Sequence, residues 1–88
     1  MGNFMGGSAY AMAQQISDGY VLVTERTLKR LQPAELNQLG FELEKLLRSL
    51  RGEQPPLDDT RAIQARNRKI QRLNSTRLMI QTFRQKRR

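Results

Sequence analysis

The chain has 88 residues, a formal charge of +8, no Cys and no His. That length allows one small domain. The two missing residue types exclude disulfides, thiolate chemistry and imidazole acid–base catalysis, and they weigh against a structural zinc site.

The charge is unevenly spread. Residues 60–88 carry ten Lys/Arg and no Asp/Glu, whereas residues 1–59 carry six Lys/Arg against eight Asp/Glu. Such an asymmetry is the footprint of a partner with fixed negative charge.

Residues 1–18, "MGNFMGGSAYAMAQQISD", are rich in Gly, Gln and Ser. They read as a flexible N-terminal segment, with Met12 as an alternative start. They have no basic leader, and Gly and Asn break any apolar stretch, so they do not read as a secretory signal. The apolar runs "YVLV" and "LMI" are too short to cross a bilayer. A cytoplasmic location is the simplest expectation.

Residues 19–88 read as a single small helical domain with a basic C-terminal helix and tail. "GYVLVT", residues 19–24, is a β-branched run that predicts a short strand. No second strand follows it. It therefore either pairs with its copy in another molecule or lies extended against the helices. "ERTLKRL", residues 25–31, predicts a short helix carrying Leu28 and Leu31.

Pro33 then suits the first position of a helix, where its missing N–H would be unpaired anyway. Glu35 complements the helix dipole, and Gly52 is the stop. The predicted helix covers about 33–51. Its residues Leu36, Leu39, Leu43, Leu46 and Leu50 are spaced three, four, three, four, a heptad seam widened by Leu47. Phe41 and Lys45 project from the opposite side.

"GEQPPLDD" is a turn, and Asp58 or Asp59 is a good N-cap. The last helix is predicted over about 60–85, with Ile63, Ile70, Leu73, Ile80 and Phe83 on one arc. Asn74-Ser75-Thr76 is a weak point where it could kink or restart. The fold class expected is mainly α: a helical hairpin preceded by a short strand and a short helix.

A two-helix hairpin offers each helix only one neighbour. The leucine seam Leu36, Leu39, Leu43, Leu46 and Leu50 is therefore a candidate oligomerisation surface, giving a homodimer or docking in a larger assembly. The other reading is that the heptad is the hairpin's own core.

On a helical wheel Arg61, Arg68, Arg72 and Lys86 form a stripe away from the apolar arc. With the tail residues Arg87 and Arg88 they are the candidate nucleic-acid-binding residues. Arginine forks match phosphate oxygens, and their binding releases condensed counterions. Arg66 and Arg77 sit at the edge of the apolar arc and are expected to pair with Glu35 and Glu42. No zinc-finger spacing, RNP-type aromatic motif or helix-turn-helix signature is present, so the expectation is phosphate-backbone contact with RNA or DNA.

"PAELNQLGFELEKLLRSLR" followed by "ARNRKIQRLNSTRL" resembles the small two-helix hairpin protein of the large ribosomal subunit, over roughly residues 33–80. The resemblance implies an Arg-rich second helix packed on ribosomal RNA. The predicted strand, the short helix and the Pro-Pro turn depart from that pattern. The strand also resembles the shared ribbon of strand–helix–helix DNA-binding dimers, but "YVLVT" offers few polar groups to read a groove.

A membrane-surface helix fits less well, because Trp is absent and Arg66 and Arg77 intrude on the apolar edge. Asp58 and Asp59 read as capping residues rather than as a catalytic pair. No enzyme activity, cofactor or metal is expected. The function expected is that of a small basic nucleic-acid-binding accessory protein or ribonucleoprotein component. The alternative is an oligomeric helical adaptor that binds other proteins.

Overall fold

The structure, a computed structural model, describes Phe4 and residues 7–86. Among these the protein is mainly helical, with α1 at Ala9–Ser17, α2 at Glu25–Lys29, α3 at Pro33–Gly52 and α4 at Thr60–Lys86. The hairpin of α3 and α4 is present as expected. Two other expectations are corrected.

The first correction is at the N-terminus. Residues 9–17 of the segment expected to be flexible form a helix; residues 1–3, 5 and 6 lie outside the described residues. Ser8 is extended and caps α1, its hydroxyl accepting from the Ala11 N–H at 3.0 Å. Met12, Ala13 and Ile16 then fall on one face and are buried in the core. Isolated, so short a segment would not hold a helix. Packing on α3 and α4 stabilises it instead.

Gly19 ends α1. Its φ of +83° is open to glycine at little cost. Its N–H donates to the Ile16 carbonyl at 3.1 Å, and the Tyr20 N–H donates to the Gln15 carbonyl at 2.9 Å. This is the Schellman pattern of a helix C-terminus.

The second correction concerns residues 19–24. They form no strand, and none exists among the described residues. Val21 to Thr24 carry no regular secondary structure and pair with no strand among the described residues. Val23 is buried and Val21 half-buried, while Leu22 is 86% exposed. The β-branched alternation thus serves a strap laid on the helices, the second of the two expected outcomes.

α2 is capped by Thr24, buries Leu28 and leads to the buried Leu31. α3 begins with Pro33 in its first turn, and the Glu35 carboxylate accepts from the Gln32 N–H at 2.8 Å. The residues α3 buries are Leu36, Leu39, Leu43, Leu47 and Leu50. Their spacing follows the 3.6-residue turn of a straight helix rather than a strict heptad. Leu46, a seam position in the heptad, is half-buried at the edge.

Asp59 caps α4, accepting from the Ala62 N–H at 3.1 Å. α4 runs without a break through Asn74-Ser75-Thr76. The buried Thr76 hydroxyl donates to the Arg72 carbonyl at 2.9 Å, so the weak point is satisfied within the helix. Leu73, Thr76, Ile80 and Phe83 are buried, while Ile63 and Ile70 are only half-buried. The core therefore lies toward the C-terminal half of α4, where α1, α2 and the strap join the hairpin. The molecule measures 46 × 25 × 19 Å, with its long dimension close to the length expected of α4.

Candidate nucleic-acid interface

The basic residues of α4 separate into two sets. Arg66, Lys69, Arg72 and Arg77 are bound within the chain. Arg61, Arg68, Arg84 and Lys86 are exposed and meet no acidic side chain among the described residues.

Arg72 is the main correction to the predicted stripe. Its guanidinium donates to the Ser17 carbonyl, the last residue of α1, at 2.9 Å. It also lies close against Gly19: a Cβ built there would stand 2.9 Å from its Cζ. A cation at this helix end meets an unpaired carbonyl and the negative pole of the dipole together. One turn earlier, Lys69 is 3.7 Å from Asp18. Both side chains are about two-fifths exposed, so this ion pair contributes little.

Arg66 does not pair with Glu35 or Glu42. Its Nε donates to the Leu50 carbonyl at 2.7 Å and its Nη2 to the Arg51 carbonyl at 3.4 Å. It thus satisfies the C-terminal carbonyls of α3, which Pro55 and Pro56 prevent from continuing. Arg77 does find a carboxylate, but it is Glu44 at 3.3 Å. Glu42 is instead 3.5 Å from Lys45 within α3.

Of the predicted nucleic-acid-binding residues, then, Arg61, Arg68, Arg72 and Lys86 are all exposed, but Arg72 alone of these four is hydrogen-bonded within the chain. Arg72 is committed to α1. Arg87 and Arg88 lie outside the described residues. Arg84 belongs with the exposed set although the wheel places it at the edge of the apolar arc, like Arg66. It lines a groove that Leu36, Asn37, Gly40 and Phe41 border from α3. α2 packs on α4 and adds the exposed Arg26, Lys29 and Arg30.

The predicted oligomerisation seam is not an open surface. Leu36, Leu39, Leu43 and Leu50 are at most 8% exposed within the single chain, and Leu46 is half-buried. The neighbour they require is α1, which the hairpin reading left out.

The surface instead exposes Phe41, at 62%. The Lys45 ammonium lies over its ring, 5.5 Å from the centroid. The ring borders a groove of about 740 Å³ between α3 and α4, which Arg77, Gln81, Arg84 and Gln85 line from the other side. Among the described residues no cluster of His, Cys, Asp or Glu could hold a metal ion, and no helix is long and apolar enough to cross a membrane.

The chain matches no protein family, no curated protein and no solved structure, and the resemblance to the ribosomal hairpin protein rests on the quoted residues alone.

Proposed function

We propose that the protein is a small, non-enzymatic nucleic-acid-binding accessory protein or ribonucleoprotein component that holds the phosphate backbone through the exposed basic residues of α4. One observation carries this reading. Arg61, Arg68, Arg84 and Lys86 stand on a helix without a single acidic residue, and no carboxylate among the described residues neutralises them. A polyanion is the partner that lowers the self-repulsion of such a surface.

Protein purified at low salt should carry nucleic acid, seen as a raised 260/280 absorbance ratio that falls after nuclease treatment. A protein-like ratio at low salt, unchanged by nuclease, sinks the proposal.

The adaptor reading keeps one supporting observation. Tyr20 and Leu22 of the strap are 83% and 86% exposed, and Met79 is exposed beside it. In that reading a protein partner covers the strap, and the basic helix meets an acidic protein surface.

A further inference from the structure

The groove between α3 and α4 differs from the rest of the basic surface. Here a large aromatic ring, amides and guanidinium groups converge on one concave space. It is a half-open groove of about 740 Å³.

Phe41 forms one wall and is 62% exposed, with the Lys45 ammonium 5.5 Å from its ring centroid. Gly40, beside it, leaves the floor clear: even an added Cβ would meet nothing within 4 Å. Gln81 and Gln85, from α4, supply amide donors and acceptors. Arg84 supplies an unpaired charge at the rim, on the helix that carries the rest of the basic surface. Arg77 lies 3.3 Å from Glu44, an exposed pair at the groove's edge.

From this convergence we infer that the groove is a base-stacking seat for single-stranded nucleic acid. An unpaired base lies on Phe41 beside Gly40, the α4 amides face its edge, and Arg84 takes the adjoining phosphate. Every base has an aromatic face, so such a seat is tolerant of sequence. A duplex hides those faces, so the seat favours single strands. The inference rests on the proposed phosphate-binding surface and adds the class of partner, which charge alone does not decide.

The chain has no Trp, so Phe41→Trp places a single indole fluorophore in the groove. Two probes are compared on the full chain: a twelve-nucleotide oligouridylate, and an abasic phosphodiester strand of the same length. The oligouridylate should quench the indole emission of the Phe41→Trp variant, while the abasic strand binds without quenching. Phe41→Ala should weaken oligouridylate binding by about 5- to 160-fold, the range for losing one stacked base, and leave the abasic strand unaffected.

Binding of both strands without quenching, or an equal weakening of both by Phe41→Ala, overturns the seat and leaves the phosphate-binding reading intact. Failure of the wild-type chain to bind either strand removes both readings. An emission shift that follows protein concentration without nucleic acid overturns the seat in favour of contact between copies of the chain.

Discussion

Replacing Arg72 separates a structural cation from a binding one. On charge pattern alone Arg72 belongs with Arg68, and Arg72→Gln would weaken phosphate binding and leave stability alone. The structure points the other way. The guanidinium makes a 2.9 Å hydrogen bond to the Ser17 carbonyl and lies on Gly19 at the C-terminus of α1.

A hydrogen bond from a charged donor contributes about 1.5–3 kcal/mol, and a cation at a helix C-terminus about 0.3–1 kcal/mol more. The side chain remains partly open to solvent, which reduces both. A loss of about 1–2 kcal/mol is the expected result. For a domain of this size each kcal/mol moves the thermal midpoint by about 4–8 °C. Urea denaturation followed by circular dichroism should show a lower midpoint with an unchanged slope.

Gly19→Ala perturbs the same junction twice: it forces φ of +83° on a residue with a Cβ and drives that Cβ into the guanidinium. Because the two substitutions share one contact, the double variant should cost less than the sum of the single variants by about 0.5 kcal/mol or more. If Arg72→Gln leaves the midpoint in place and instead lowers the salt slope of nucleic-acid binding by about one unit, Arg72 is a phosphate ligand and the capping reasoning fails.

Four further outcomes are expected. Arg68→Gln should leave stability within about 0.5 kcal/mol and reduce the log–log salt slope by about 0.7–0.9, one phosphate contact; titrations at several salt concentrations measure this. Arg66→Gln should cost about 1–2 kcal/mol in urea denaturation, because the Leu50 and Arg51 carbonyls lose their donor. Leu43→Ala, at a fully buried position, should cost about 2–5 kcal/mol, and sedimentation should show no accompanying change of oligomeric state. Deleting residues 1–17 should expose ANS-binding surface and collapse the thermal transition, since Met12, Ala13 and Ile16 leave the core; an unchanged transition would show that α1 is dispensable.

Local chemistry was enough to place much of this protein. Pro33 and Glu35 start α3, the Pro-Pro pair prevents its continuation, and Asp59 starts α4, because each acts through its own backbone or that of its neighbours; Gly52, expected as the stop, is instead the last residue of α3. The excess of positive charge on α4 is likewise a property of composition.

Three features depended on residues far apart in the chain. α1 is too short to persist unaided, and its Gly-rich approach hides it. The pairing of Ser8 with Met12, Ala13 and Ile16 was a legible signal, and so was Gly19 as a helix stop rather than a strand start. The heptad of α3 read as a surface because a hairpin has no third element; once α1 packs on it, the buried set shifts from Leu46 to Leu47 and closes within the chain.

The cations were the least legible. Arg66, Arg68, Arg72 and Arg84 have the same side chain and lie on the same helix, so helical periodicity fixes only their direction. What each one does depends on what lies opposite: the last carbonyls of α3 for Arg66, the last carbonyl of α1 for Arg72, the open α3–α4 groove for Arg84 and solvent for Arg68. A guanidinium binds whichever acceptor tertiary packing brings within about 3 Å, and only those left without one remain to meet a partner.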